Sequence, residues 1–171
     1  KNRISKYNLG DHEFEINNSG KSSILVVGQV EKDASISFGA LDIKTDLMLL
    51  KKVKKEFPND YIIYKPHPDV VAGIRKGGVS LAQGKNYFDL MVDSGDAISL
   101  FDLVDSVHTI TSLVGFEALL RNKKVFTYGL PFYAGWGLTT DMLKIDRRNK
   151  KLSLAELVFG TLIKYPLYLS N

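Results

Sequence analysis

Short apolar runs alternate along the chain with stretches whose apolar residues recur at helical spacing. Ile24-Leu25-Val26-Val27 is a continuous β-branched run that ends at Gly28 and predicts a buried strand. Leu47, Leu50, Val53 and Phe57 then fall on one helical face, and Pro58 closes that segment. Tyr61 to Tyr64 predict the next strand, Val107 to Ile110 a third and Lys124 to Tyr128 a fourth. The pattern also predicts a helix starting near Asp96, with Ile98, Phe101 and Val104 inward, and a short one from Leu113 to Arg121. A last helix begins at Ser153, which stands in capping-box spacing with Glu156. Residues 69–95 carry no clear period, because Gly73, Gly77, Gly78 and Gly84 interrupt any long element.

Alternation of this kind predicts an α/β fold: a Rossmann-like, doubly wound, mostly parallel sheet with helices on both faces. The expected organisation is one such domain over residues 21–171, preceded by a polar, irregular segment at 1–20. No internal repeat, low-complexity tract or linker divides it. A chain of 171 residues with 44% hydrophobic content can bury a real core. No apolar run approaches the ~20 residues needed to cross a bilayer, and no secretory signal is visible. The absence of cysteine excludes disulfides and thiolate metal sites. Starting at Lys1 without a methionine, the chain is expected to be part of a longer protein.

A net charge of +4 is only mildly basic. Lys51, Lys52, Lys54 and Lys55 are expected on the wet face of a helix. Arg147, Arg148, Lys150 and Lys151 are expected in a solvated loop, with contact to anionic lipid as the alternative. Neither cluster is interleaved with aromatics, so nucleic acid is not an expected partner. His12, His67 and His108 are far apart and form no metal-binding pattern, so no metal is expected. His108, inside an apolar strand, is expected to be a core histidine.

Four segments can carry chemistry, and in a doubly wound sheet the loops after successive strands converge on one edge. After the first strand, Gln29 can hydrogen-bond a polar ligand. Asp33 can serve as nucleophile, base or electrostatic stabiliser, or simply cap a helix. After the second strand, Tyr61-Ile62-Ile63-Tyr64-Lys65-Pro66-His67-Pro68 holds a lysine and a histidine in a stiff, non-helical loop. Both can donate to an anion, and His67 can exchange a proton near neutral pH. After the third strand, Thr111 and Ser112 lead into a helix through Gly115 and Glu117, which offers free N–H groups and hydroxyls to an anion. Helix capping is the bland account of those hydroxyls. Neither a Walker loop nor a Gly-x-Gly-x-x-Gly motif occurs. The fourth segment, residues 129–139, joins three glycines to Phe132, Tyr133 and Trp136, which suit a ligand wall or a domain contact equally.

In this order the segments resemble a known family. Gln29 and Asp33 in Gln-x-x-x-Asp, Tyr-Lys-Pro-His-Pro-Asp at 64–69, the run at 107–120 and Gly-Leu-Pro-Phe-Tyr-Ala-Gly-Trp-Gly-Leu-Thr at 129–139 are similar to the bacterial capsule polysaccharide biosynthesis proteins of the KpsC/LipB type. Tyr165-Pro166-Leu167-Tyr168-Leu169 fits the same pattern. The last of the four segments is the most specific.

The resemblance implies a retaining β-Kdo transferase. It would use CMP-Kdo to build a Kdo linker on a phosphatidylglycerol lipid at the cytoplasmic face of the bacterial inner membrane. It further implies a GT-B-like pair of Rossmann domains, of which this chain is the donor-binding half and the second domain is a missing partner. The isolated half need not be active. Carried onto this chain, Asp33 becomes the catalytic carboxylate and His67 the group that holds or protonates the departing phosphate. Thr111, Ser112 and Gly115 fall at the phosphate turn, and Glu117 takes the ribose. Gln29 and Lys65 complete the donor site, Lys65 by neutralising the sugar carboxylate or the phosphate. Tyr133 and Trp136 are candidate cleft walls. No cofactor is implied beyond the CMP-Kdo substrate. Two other readings remain open on the residues: a CDP-glycerol-type glycerophosphotransferase and a non-catalytic nucleotide-binding domain.

Overall fold

Six parallel strands form one sheet in the computed structural model, which describes residues 16–166. They are β1 (Ser23–Val27), β2 (Tyr61–Lys65), β3 (Leu90–Met91), β4 (Ser106–Thr109), β5 (Lys124–Thr127) and β6 (Thr140–Asp141). Their order in the sheet is β3-β2-β1-β4-β5-β6, and Leu25 of β1 stands opposite Ile63 of β2 and Val107 of β4.

The continuous apolar run of β1 follows from its central place. Successive side chains point to opposite faces of a strand, and here both faces are covered. Leu25 and Val27 enter one cluster with Ile63, Phe101, Val107, Phe116 and Val125. Ile24 and Val26 enter the other with Ile36, Leu49, Leu50, Val53 and Ile62. The second cluster is roofed by α1 (Ala34–Gly39) and α2 (Asp46–Glu56). The first is roofed by a 3-10 helix (Ile98–Leu103), α5 (Leu113–Leu119) and α6 (Leu154–Val158), separated in sequence from α2 by the short α3 (Pro68–Val71) and α4 (Leu81–Gly84). Connections from β1 and β4 therefore leave toward opposite faces, which makes the β1/β4 boundary the switch point of the sheet.

The elements expected from the sequence are present, with differences that have local causes. Residues near Asp96 form a 3-10 helix instead of an α-helix, with Ile98, Phe101 and Val104 buried as expected. The aperiodic stretch 69–95 resolves into α3, α4 and β3. Ser153 and Glu156 make the expected capping box on α6, which runs on into a π-helical turn (Phe159–Lys164). The lysines of α2 lie along its wet face, where Lys52 pairs with Glu56 at 2.9 Å. Among the described residues no helix is long and apolar enough to cross a membrane, and no group of His, Cys, Asp and Glu is suited to a metal ion. His12 and Leu167 to Leu169 lie outside the described residues.

His108 is the core histidine expected from its strand. It is fully buried and stacked on Phe126, with Nδ1 3.0 Å from Tyr128 Oη and Nε2 3.2 Å from Ser106 Oγ. Burial pushes its pKa down to about 3. The folded state thus binds a proton more weakly than the unfolded chain, where histidine titrates near ~6.5. The stability tied to this group is intact above that value and is lost as pH falls below it. Denaturant titrations should show the wild type losing about 2 kcal/mol between pH 6.5 and 5 relative to His108→Gln. Parallel curves for the two proteins would contradict a buried, neutral His108.

Candidate active site

A cavity of about 460 Å³ opens at the carboxyl ends of β1, β2 and β4, at the switch point. Its wall includes Gln29, Asp33, Lys65, His67, Thr111, Ser112 and Glu117 from the predicted set. Phe132 of the aromatic loop also lines it, as do Arg75 and Asp96, which carried no functional expectation of their own in the sequence.

The short helices after the strands position three of these groups by capping. Asp33 is the N-cap of α1, and its Oδ1 accepts the Ser35 N–H at 2.8 Å. Capping and a place on the cavity wall are thus combined in one residue. His67 caps α3, with Pro68 at the first helical position. Its Nδ1 accepts the Asp69 N–H at 3.1 Å, which assigns the proton of the neutral ring to Nε2. Ser112 caps α5, its Oγ accepting the Val114 N–H at 3.2 Å. Because α5 ends at Leu119, its dipole contributes less to an anion than the longer helix expected to Arg121.

Gln29 plays a different part from the one expected. Its amide is buried and bonded within the protein: Nε2 donates to Thr111 Oγ1 at 3.0 Å, while Oε1 accepts from the Thr111 N–H at 2.8 Å and Thr109 Oγ1 at 3.3 Å. It is a bracket across the switch point. Thr111 is engaged in the same way, its hydroxyl also reaching Ser35 Oγ at 3.3 Å. The Gln29 backbone N–H in turn donates to Asp46 Oδ1 at 3.0 Å. Asp46 Oδ2 accepts from Tyr64 Oη at 2.7 Å, and Tyr64 Oη accepts the Val79 N–H at 3.2 Å. A Cβ on Gly28 would stand 2.6 Å from Asp46 Oδ2, so only glycine fits over this carboxylate. In the sequence Asp46 looks like an ordinary acidic residue in the first turn of a helix capped by Thr45.

Lys65 is 4% exposed, and its Nζ donates to Ser94 O at 3.0 Å. Burial lowers its pKa, and the nearby carboxylates of Asp93 and Asp96 oppose that shift. Its charge is largely answered by the protein.

The expectations for Gly115, Tyr133 and Trp136 need correction. Gly115 faces away from the cavity: a Cβ there would meet Tyr133 Oη at 2.2 Å. Tyr133 is fully buried and donates to the Ser112 carbonyl, so it supports the turn at Ser112 from behind instead of forming a cleft wall. Trp136 donates from Nε1 to Phe132 O at 2.8 Å and lies under the Arg148 guanidinium at 5.4 Å. Phe132 is the aromatic of this loop that reaches the cavity.

Arg148 also departs from the solvated role expected of its basic cluster. One of its guanidinium nitrogens donates to Pro131 O at 2.7 Å and Ala134 O at 2.6 Å. Asp141 ties the same loop from the other side, accepting from Thr127 Oγ1 at 2.7 Å and from the Gly135 N–H at 2.9 Å. Arg147, Lys150 and Lys151 remain exposed.

Strand order and a polar crevice at the switch point define a doubly wound, Rossmann-type α/β domain. The chain belongs to the capsule polysaccharide biosynthesis protein family, whose model matches residues 2–170. It is 53% identical over 168 residues to the capsule polysaccharide modification protein LipA of Neisseria meningitidis serogroup B, covering 98% of this chain and 24% of LipA. Among solved structures it is similar to Thermosulfurimonas dismutans KpsC, beta Kdo 2,7 transferase, with a TM-score of 0.78 and 50% identity over 88% of this chain and 48% of that one. The beta Kdo 2,4 transferase of the same KpsC matches with a TM-score of 0.77 and 33% identity, over 90% of this chain and 48% of that one. The chain thus spans about a quarter of LipA and about half of each KpsC chain. The family and the fold read from the motifs are those found.

The buried Asp46 gives the site scaffold a pH signature. Burial raises its pKa to about 6, against the lowering effect of the Tyr64 and Gln29 hydrogen bonds. The folded state binds this proton more tightly than the unfolded chain, so the stabilisation is complete at low pH and is lost as pH rises through 6. Between pH 7 and 5 the wild type should gain about 1 kcal/mol over Asp46→Asn in denaturant titrations. A pH-independent difference between the two would contradict a titrating carboxyl beneath the site.

Proposed function

We propose that this chain is the donor-binding half of a retaining β-Kdo transferase, taking CMP-Kdo and passing Kdo to a lipid-linked Kdo/phosphatidylglycerol acceptor in capsule linker synthesis. One observation carries the reading: Asp33, His67, Ser112 and Glu117, from three separate strand ends, line a single cavity at the switch point. Likeness to the KpsC transferase over about half of its length supports the same conclusion.

Retention requires two inversions at one carbon. In the first step an Asp33 oxygen attacks C2 of Kdo, the C2–O bond to phosphate breaks, and the electron pair leaves with CMP. His67 stands to donate a hydrogen bond from Nε2 to that phosphate, which leaves with its full charge, since its Nδ1 accepts the Asp69 N–H. Ser112 Oγ adds a donor for the phosphate charge, with Lys65, largely answered within the protein, as a minor contributor. Glu117 accepts from the ribose hydroxyls. In the second step the acceptor hydroxyl attacks C2, the C2–O bond to Asp33 breaks to release its carboxylate, and the hydroxyl proton passes to the CMP phosphate. The other half of the protein would supply the acceptor and close the cleft. The reaction belongs at the cytoplasmic face of the inner membrane, where this chain is a peripheral component.

Titration calorimetry with CMP, UMP and CDP tests the donor assignment. CMP should bind most tightly, and His67→Ala and Ser112→Ala should each weaken it about tenfold, the effect of losing one charge-assisted hydrogen bond. Equal or tighter binding of CDP would contradict a CMP-sugar site and favour a glycerophosphotransferase.

A further inference from the structure

The donor proposed above carries two anionic groups, the phosphodiester and the carboxylate at C1 of the sugar. The cavity wall offers three basic side chains to meet them: Lys65, His67 and Arg75. Lys65 is buried, bonded to Ser94 O and flanked by Asp93 and Asp96, so little of its charge is left for a ligand. His67 is oriented by Asp69 toward a single Nε2 donor. Arg75 is exposed, and among the described residues no hydrogen bond or ion pair engages its guanidinium.

The segment that carries Arg75 is held in place. Its own N–H and that of Ile74 both donate to Asp69 O, at 3.0 and 2.9 Å, folding the chain back against the His67 loop. Gly77 and Gly78 then turn at φ of +136° and +77°, a region that only glycine enters readily. These glycines lie against Glu31 and Val70, where a Cβ would come within 3.2 and 2.9 Å. The turn thus packs between the loops that present Asp33 and His67. A guanidinium fixed at its base, with no partner among the described residues, has the planar fork that matches a carboxylate with two parallel hydrogen bonds.

We propose that Arg75 is the specificity-determining residue of the cavity, pairing with the sugar carboxylate of the donor and so selecting an acidic sugar. The proposal rests on the CMP-Kdo reading and deepens it. It also moves the carboxylate contact from Lys65 to Arg75.

The test is calorimetric titration of the full chain with CMP and with freshly prepared CMP-Kdo, in the wild type, Arg75→Ala and Arg75→Lys. The wild type should bind CMP-Kdo more tightly than CMP. Arg75→Ala should lose at least about tenfold in CMP-Kdo affinity while its CMP affinity changes less than about twofold, and that retained CMP binding certifies the fold. Arg75→Lys, which keeps the charge without the fork, should fall between. An equal loss for both ligands would mean that Arg75 reads the phosphate, and no loss for either would mean that it reads nothing; each overturns the assignment while leaving the CMP-Kdo reading standing. A wild type that binds neither ligand overturns both.

Discussion

Gln29 closes the gap that the topology opens. β1 and β4 are hydrogen-bonded neighbours, yet their connections depart to opposite faces of the sheet, and the loops above them diverge. That divergence creates the crevice and would leave its floor unsupported. The Gln29 amide spans it with three hydrogen bonds to Thr109 and Thr111, and Asp46 holds the Gln29 backbone from below. Each bond contributes about 1 kcal/mol net, but leaving such buried groups unpaired would cost more, so the bracket is maintained as a unit.

The bracket decides which polar residues can meet a ligand. Gln29, Thr111 and Asp46 direct their hydrogen bonds into the protein, and Lys65 is compensated by Ser94 and two carboxylates. Asp33, His67 and Ser112 cap the helices that follow the strands, which fixes the backbone beneath each without removing it from the cavity wall. The loop at 129–139 adds Phe132 to the wall and uses its other aromatics as support: Tyr133 behind Ser112, Trp136 beneath Arg148. Positioning and ligand contact are thus assigned to different residues of the same motifs.

Much of this was legible in the sequence. Strands buried on both faces produce continuous apolar runs, which is why the central strands and the parallel sheet could be read directly. β3 and β6 have two residues each, too few for any period to emerge. α1 buries only Ile36, so it too shows no pattern. The motifs located the site but not the direction of their side chains: Gly115, Tyr133 and Trp136 face the interior or the loop, while Phe132 faces the cavity. Arg148 was hidden by its basic neighbours, because a charge count does not register a guanidinium donating to two carbonyls. Asp46 and Arg75 were invisible for local reasons of their own. One resembles a helix-start acid and the other sits in a glycine-broken stretch, and only the fold brings them to the site.

Bond making by Asp33 is the step on which the proposed transfer depends. Full-length protein incubated with CMP-Kdo in the absence of acceptor, quenched and analysed by peptide mass spectrometry, tests this directly. The account predicts one Kdo unit bound covalently to the peptide containing Asp33, absent from Asp33→Asn and discharged when acceptor is added. An adduct on another residue, or undiminished transfer by Asp33→Asn, would contradict it.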